Sequence, residues 1–367
     1  MDIVKKQFIS AVPLCPVFKE CGGCQYQDII YQDELKIKEQ SLKDLIGQNL
    51  SVTEDVFRPI VASPREYRYR NRLDLKLIKN KKNEIQIGFS PQGKYDTLPI
   101  DDCAIADQKI ANAIPRVKQE AIVKLPEKYR TGNIVVRVGD EGRVLWGGLG
   151  KRSLQLDPRD YFWTEIQGKR IYYSLDTFFQ ANLFILPKFI DHLRALNIFD
   201  RETLFFDLYG GVGLFGVCLS DLVDKIILIE DNPASIKVAL HNIEYNRIGN
   251  FEVHRGKVED VFDAKFVKNN QKKVIMVDPP RAGLSEGVVQ FLNRLRNVDY
   301  LLYLSCNPQT LVNNLKDLTN RRWQVESITP FDFFPKTRHL ETFVVLKKRQ
   351  GFWESLGKRF LIPHPAK

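Results

Sequence analysis

The second half of the chain, from about residue 175 onward, alternates short apolar runs with amphipathic stretches. Apolar runs of this length predict β-strands, and helical spacing follows most of the earlier ones. Strand and helix in alternation favour a parallel, doubly wound α/β sheet. The last two runs are close in sequence, which predicts a hairpin at one edge. The predicted strands are 203–208, 225–230, 251–255, 274–278, 300–305, 324–331 and 342–347.

The first half of the chain has a different spacing of polar and apolar residues. Residues 72–79 alternate polar and apolar, a turn follows at 80–83, and a second run covers 85–89, which together predict a β-hairpin. Helical spacing covers 28–48 and 108–121, and further strands are predicted at 133–138, 143–149 and 153–156. The chain therefore divides into an N-terminal Cys-rich segment with a helix (1–55), a small antiparallel β domain (56–160), the doubly wound domain (161–350) and a tail (351–367).

Composition narrows the class of protein. The 367 residues are 44% hydrophobic, which excludes a disordered chain, and no apolar run reaches the roughly 18–20 residues of a membrane span. We read no secretory signal at the N-terminus and expect a cytoplasmic protein with reduced thiols. The net charge of +10 favours an anionic partner, nucleic acid first, although solubility alone explains it equally well.

A glycine-rich turn follows the first strand of the doubly wound domain. Gly210, Gly211 and Gly213 let the backbone approach a ligand, and Asp207 places a carboxylate beside that turn. Glu230 ends the next strand, where it can accept hydrogen bonds from ribose hydroxyls. This pattern favours S-adenosylmethionine over a nicotinamide cofactor or an empty structural turn.

Two further strand ends carry reactive groups. Asp278 precedes two prolines that stiffen its loop, although a plain proline loop is the alternative. Cys306 ends a strand just before a predicted helix, and the helix N-terminus would lower the thiol pKa of a nucleophile. Cys218 fits a buried core position better. Glu341 precedes the last strand, and from the residues alone it is equally a base or a surface acid.

Together these groups suit one reaction. The C5 atom of a pyrimidine is too weak a nucleophile to take a methyl group directly. A thiolate added to C6 makes C5 reactive, and a base must then remove the C5 proton. Cys306 and Glu341 are the two groups that this scheme requires.

The chain resembles the RNA uracil-C5 methyltransferases, and it is similar to the 23S rRNA enzymes along nearly its whole length. The motifs that carry the resemblance occur in family order at 178–182, 207–213, 278–281, 305–308 and 339–342. The resemblance implies a Rossmann-like methyltransferase domain, with Cys306 as nucleophile and Glu341 as proton acceptor. The cofactor-binding residues that we infer from it and from the turn are Gln180, Asp207, Tyr209, Gly211, Glu230 and Asp278.

The N-terminal cysteines have metal-ligand spacing. Cys15, Cys21 and Cys24 are followed by a remote Cys103, a pattern that favours a [4Fe-4S] cluster, with zinc as the alternative. Cluster-bearing members of the resembled family share this arrangement. We expect the cluster to be structural, tying the segment to the β domain. Since the cysteines begin by Cys15, we expect a short form without an N-terminal OB-like domain.

A basic stretch at 65–72 interleaves arginines with tyrosines. Guanidinium groups bind phosphates and tyrosines stack on unpaired bases, although a charged hairpin edge is the alternative. Its centre resembles the RNA-contacting loop of the family. The predicted RNA contacts are Arg68, Arg70, Asn71 and Arg72, with Lys79, Lys81, Lys82 and Lys94 extending the positive strip.

The sequence thus predicts a monomeric enzyme that methylates C5 of a uridine, in 23S rRNA first, through a covalent Cys–C6 adduct. The same chemistry on a tRNA T-loop uridine is the close alternative, and a non-catalytic iron–sulfur RNA-binding protein is the remote one. A single-stranded loop is the natural target, because the base must leave its stack.

Overall fold

The computed structural model describes residues 8–79, 84–89, 91, 97–124, 130–148, 158–267, 271–295 and 297–349. Several predictions from the sequence fall outside these ranges and stay untested. They are the turn at 80–83, the strand at 153–156, the tail at 351–367 and the lysines Lys81, Lys82 and Lys94.

The described residues of the N-terminal half contain two long helices and a small sheet. Helix α1 (Tyr31–Gly47) follows the cysteine segment. The five-stranded sheet is antiparallel, in the order β3-β2-β1-β4-β5, and helix α2 (Gln108–Lys124) packs against β4 and β5. Its strands are β1 (Arg72–Lys79), β2 (Ile85–Phe89), β3 (Leu98–Pro99), β4 (Thr131–Val138) and β5 (Val144–Gly147). The predicted hairpin is therefore confirmed, because β1 and β2 pair antiparallel.

A second hairpin was not predicted from the sequence. Strands β6 (Phe162–Ile166) and β7 (Lys169–Tyr173) pair antiparallel around a two-residue turn. Both turn residues, Gln167 and Gly168, have positive φ angles of 54° and 68°, which matches the twist that tight hairpins need. The aromatic and β-branched residues on both sides of this turn were the available signal.

A seven-stranded sheet forms the second half, in the order β10-β9-β8-β11-β12-β14-β13. Its strands are β8 (Leu204–Leu208), β9 (Lys225–Glu230), β10 (Phe251–Arg255), β11 (Lys273–Val277), β12 (Tyr300–Ser305), β13 (Trp323–Phe331) and β14 (Glu341–Lys348). The helices are α3 (Leu186–Arg194), α4 (Leu214–Leu219), α5 (Pro233–Tyr245), α6 (Val258–Val261), α7 (Glu286–Arg294) and α8 (Pro308–Thr319). The first five strands in chain order are parallel, so the predicted doubly wound α/β sheet is confirmed.

The last two strands form the predicted hairpin, with one addition. Strand β14 inserts between β12 and β13 and runs antiparallel to both. The free edge of β13 is partly covered, because backbone N–H groups of Arg58 and Val61 donate to the carbonyls of Ile328 and Pro330 at 2.9 Å. Covering an edge in this way protects it from pairing with another chain.

Two apolar cores lie on the faces of the large sheet, and a third lies under the small sheet. Strands β8 and β11 are buried at every position, which explains their continuous apolar sequences. No helix in the described part of the chain combines the length and hydropathy needed to cross a bilayer.

Gly216 in α4 is required by packing. A Cβ atom there would lie 2.5 Å from the Phe251 ring and 3.0 Å from Ile226 Cγ2. Gly287 in α7 offers a matched helical position, since a Cβ atom there meets nothing within 4 Å.

We expect Gly216→Ala to lower the free energy of unfolding by about 1–3 kcal/mol, because the added methyl overpacks a filled site. Urea denaturation measures the change. The control Gly287→Ala should retain wild-type stability or exceed it, because the helix gains propensity without a clash. Equal stability of the two variants would contradict the packing argument.

Candidate active site

The functional groups predicted from the sequence lie at the carboxyl ends of the parallel strands of the large sheet. These ends lie on the same side of the sheet, so the residues at the ends of β8, β9, β11 and β12 face one crevice. Asp207 and Tyr209 lie at the end of β8, Glu230 ends β9, and Asp278 and Cys306 follow β11 and β12.

The glycine turn after β8 is held in an unusual backbone conformation. Tyr209, Gly211 and Gly213 all have positive φ angles, of 61°, 55° and 82°. Such a conformation is strained for tyrosine, and strain of this kind concentrates at ligand sites. The Glu230 carboxylate fixes the turn, since its Oε2 accepts from Gly211 N at 2.9 Å. Its Oε1 accepts from the N–H groups of Asp231 and Asn232.

Two aspartates lie in the crevice, where Asp207 is buried and Asp278 is half-buried. Burial raises the pKa of Asp207 to about 8 and that of Asp278 to about 7. Asp207 Oδ2 accepts from Gly216 N at 3.1 Å, whereas its buried Oδ1 has no hydrogen-bond partner among the described residues. A buried acceptor without a partner is costly, so this oxygen favours a ligand that brings a donor or a positive charge.

Strand register brings Cys306 and Glu341 together. Ser305, the last residue of β12, pairs with Thr342 near the start of β14. Cys306, which follows Ser305, and Glu341, which precedes Thr342, therefore lie at the same end of these two strands. Glu341 is buried, and burial raises its carboxyl pKa well above the usual range, with Asp278 adding to the rise. Its Oε2 also has no hydrogen-bond partner in the described part of the chain.

The thiol pKa of Cys306 differs from the prediction. Helix α8 does begin just after it, capped by the Asn307 side chain. Burial nevertheless raises the pKa of Cys306 to about 11, and the carboxylates of Glu341 and Asp278 add to the rise, while Arg281 opposes it. The expectation of a lowered pKa is therefore wrong for the free protein, because the sulfur is half-buried and two carboxyl groups lie near it.

A cavity of about 320 Å³ opens onto this thiol. Asn307 Nδ2 and Thr310 Oγ1 donate to the carbonyl of Arg281, which fixes the loop after Asp278 against α8. Sequence reasoning did not identify Arg338 as a cavity residue, although Arg338 directly precedes the 339–342 motif. The residues lining the cavity are Arg281, Cys306, Asn307, Pro308, Arg338 and His339.

The loop that carries Gln180 is fixed from the small sheet. Asn71 donates from Nδ2 to the Gln180 carbonyl at 3.2 Å and from its backbone to the Ala181 carbonyl at 2.9 Å. Arg137 is fully buried and donates to the carbonyls of Ser174 and Thr177 at the start of the same loop. Sequence reasoning missed Arg137, because nothing in an alternating strand marks an inward arginine.

The predicted RNA contacts have different surroundings. Arg68 forms a bidentate pair with Asp102 at 2.7 Å, and Arg72 pairs with Asp74 at the same distance, both partly exposed. Arg70 donates to the carbonyl of Arg72. For Asn71 the prediction needs correction, because its side chain is buried against the Gln180 loop and does not present to RNA.

The four predicted metal-ligating cysteines line a single cavity of about 400 Å³. They are Cys15, Cys21, Cys24 and Cys103, all as free thiols. Burial raises the pKa of Cys24 to about 12, and the other three sulfurs are close enough to raise it further. Among the described residues, no three side chains converge closely enough to hold a single metal ion. Cys218 is buried in α4, as expected of a core residue.

Alkylation of Cys306 by iodoacetamide in the free protein should accelerate about tenfold per pH unit between about pH 7 and pH 9. Only the thiolate reacts, and its fraction rises with pH as long as the pH is below the thiol pKa of about 11. Mass spectrometry of the Cys306 peptide gives the rate, with Cys306→Ser as the control. A plateau below pH 9 would show a thiol pKa lower than this geometry gives.

Comparisons with known proteins identify the family of the chain. A family model described as tRNA (Uracil-5-)-methyltransferase matches residues 150–349, more than half of the chain. The chain is 27% identical to an uncharacterized RNA methyltransferase of Thermosynechococcus vestitus, over 94% of this chain and 86% of that relative. It is also 27% identical to an uncharacterized RNA methyltransferase of Clostridium tetani, over 91% of this chain and 84% of the relative.

A solved structure shares the fold. The tRNA (uracil-54, C5)-methyltransferase of Pyrococcus abyssi, in complex with S-adenosyl-L-homocysteine, matches with a TM-score of 0.65 at 23% identity, covering 87% of this chain and 84% of that one. The predicted Rossmann-like methyltransferase fold is thereby confirmed. The chain belongs to the tRNA (uracil-5-)-methyltransferase family and is an S-adenosylmethionine-dependent RNA uracil-C5 methyltransferase.

Proposed function

We propose that the enzyme methylates C5 of a uridine in 23S rRNA, with Cys306 as nucleophile and Glu341 as proton acceptor. The observation that carries the proposal is the register of β12 and β14, which sets a thiol and a buried carboxyl at the same end of two paired strands. Asp278 lies close enough to raise the pKa of both groups. Thiol, base and cofactor crevice are then one site.

The reaction balances with these groups. The Cys306 thiolate adds to C6 of the uracil, and the electron pair of the C5–C6 double bond moves onto C5 and O4. C5 takes the methyl group from the sulfonium, whose positive charge is lost. The Glu341 carboxylate removes the C5 proton, the double bond re-forms, and the C6–S bond breaks to release the thiolate. The proton then passes from Glu341 to solvent.

The cofactor supplies an electrophilic methyl group on a positively charged sulfur. Asp207 Oδ1, which lacks a partner among the described residues, suits a cationic amino group. Glu230 holds the Gly211 turn and keeps further lone pairs for ribose hydroxyls. Gln180, Tyr209 and Asp278 complete the predicted contacts. Because carboxyls surround the crevice, positive charge of the cofactor would also relieve their repulsion of the Cys306 thiolate.

A uridine in tRNA is the second candidate target. The description of the matching family and the substrate named for the Pyrococcus abyssi enzyme both favour it. The likeness of the motifs and cysteines to 23S rRNA enzymes favours ribosomal RNA. In either case Arg68, Arg70 and Arg72 are proposed phosphate contacts. Their partly exposed carboxylate pairs can exchange for phosphate, since exposed ion pairs contribute little stability.

Incubation with S-adenosylmethionine and 5-fluorouridine-substituted RNA should trap a covalent protein–RNA adduct, because fluorine at C5 cannot leave as a proton. We expect the adduct with 23S rRNA and not with tRNA, as resolved by denaturing electrophoresis. Adducts with tRNA alone would move the substrate to the second candidate. A Cys306→Ala protein that still forms the adduct would disprove the nucleophile assignment.

Glu341→Gln separates the base from the nucleophile in the same assay. In the Glu341→Gln variant, Cys306 should still add to C6 of the uracil and the methyl group should still be transferred to ordinary RNA. The variant should then stall with the RNA covalently attached. Because burial raises the carboxyl pKa of Glu341 well above its usual range, a neutral amide of the same size should preserve the thermal midpoint. Normal turnover by this variant would remove Glu341 as the base.

We also propose that the four cysteines bind a [4Fe-4S] cluster. Four thiols and no disulfide line the 400 Å³ cavity, and a Cβ atom at Gly23 would lie only 3.4 Å from Cys21 Sγ. Backbone N–H groups of Ile105 and Ala106 point at Cys103 and offset part of the burial that raises its pKa. When bound, the cluster would cross-link the segment to the small sheet, which leaves methyl transfer to Cys306 and Glu341.

Anaerobic purification should therefore give a brown protein that absorbs broadly near about 400 nm and contains about four irons per chain. Cys103→Ser should lose iron, because one of four ligands is removed. The control Cys218→Ala, which alters a core thiol, should keep it. Zinc without iron in elemental analysis would contradict the cluster.

A further inference from the structure

We propose that Lys336 is a positioning residue for methyl transfer. With Glu34 it holds the turn at 335–339, which carries Arg338 and His339 to the wall of the Cys306 cavity. The inference rests on the proposed function in one respect only, namely that the turn at 335–339 serves methyl transfer. The contacts that carry it are independent of the substrate.

Lys336 is an unusual residue to find in such a place. Its side chain is 2% exposed, and its φ angle of 65° lies in the left-handed region. Buried lysines are rare and costly unless they are paired, and a positive φ adds strain for a residue with a Cβ atom. Both costs fall on one residue next to the cavity, so the surrounding contacts must hold it there.

The side chain is enclosed by carboxylates and aromatic rings. Its Nζ lies 2.9 Å from Glu66 Oε2 and 3.6 Å from Glu34 Oε2. It also lies over the rings of Tyr31 and Tyr67, at 5.3 and 5.4 Å from their centroids. Glu34 is fully buried in α1, so removal of the lysine charge leaves that carboxylate with one cation fewer.

The same helix holds the rest of the segment. Lys38 Nζ donates to Glu34 at 2.7 Å, to Asp332 at 2.8 Å and to the carbonyl of Phe334 at 3.1 Å. Tyr31 donates its hydroxyl to the other Asp332 oxygen at 2.8 Å. Helix α1 therefore clamps both ends of the stretch between β13 and Arg338.

The backbone of the turn links this clamp to the cysteine segment. Lys336 N donates to Glu34 Oε1 at 2.6 Å, and its carbonyl accepts from Gln25 and Tyr26 at 2.8 and 3.1 Å. Arg338 N donates to Gln25 Oε1 at 2.8 Å. Gln25 directly follows Cys24, and Arg338 lines both the cysteine cavity and the Cys306 cavity. The Lys336 turn thus carries Arg338, a residue that lines both cavities.

Lys336→Met tests the role, since it keeps the length and apolar stem and removes the charge. We expect the folded variant to form the 5-fluorouridine adduct at least about tenfold more slowly, because a small displacement of a reacting group lowers the reaction rate strongly. Iodoacetamide should alkylate Cys306 several-fold faster, because the wall covering the thiol moves. Alkylation needs no RNA, so it tests the positioning even if wild type forms no adduct and the proposed function fails.

Lys169→Met is the matched control. Lys169 Nζ also makes three side-chain contacts, to Val217, Ser220 and Asp221, but it is partly exposed and does not line the Cys306 cavity. It should keep wild-type adduct and alkylation rates even if its thermal midpoint falls.

If Lys336→Met does not fold, Glu34→Gln carries the test, because it keeps the side-chain volume and removes the paired charge. We expect the same two changes. A lowered thermal midpoint with unchanged alkylation and adduct rates would assign Lys336 a merely structural role and overturn the proposal.

Discussion

The pairing of β14 with β12 is the interaction on which the site depends. Ser305 pairs with Thr342, and this register alone places Cys306, which follows β12, and Glu341, which begins β14, at the same end of the two strands. A slip of one residue would turn Glu341 to the other face of the sheet, since side chains alternate along a strand. The register is anchored by burial on both faces, because β12 after its first residue and the first six residues of β14 are buried.

Electrostatics make the free crevice a poor place for a thiolate. Asp207 and Glu341 are buried and Asp278 is half-buried, the pKa values of all three carboxyls are raised, and Cys306 shares their environment. A cationic cofactor and a partner for the unsatisfied oxygens would change each of these values in the direction that catalysis needs. The site is therefore arranged for the loaded state, and in the free protein its nucleophile is protonated.

The sequence predicted the elements whose signal is local. Most strands of the large sheet are short runs rich in apolar residues, and the glycine turn and Cys306 follow strand ends that any parallel sheet would bring together. It did not predict the thiol pKa, because Glu341 approaches Cys306 only through pairing across the sheet. Neither the burial of Asn71 nor the inward Arg137 has a local signal, since polar residues in an alternating strand look exposed. The ions around Lys336 come from chain positions some three hundred residues apart.

That separation has a consequence for how the enzyme is made. The Tyr31–Asp332 hydrogen bond closes a loop of 301 residues, and Gln25 and Arg338 are 313 positions apart. Contacts of such span form late, because the entropy of closing the loop must be overcome before they contribute. During synthesis the first forty residues must wait for nearly the whole chain to emerge. An interruption before Asp332 would leave α1 without Asp332 and Lys336, and Cys306 without Glu341.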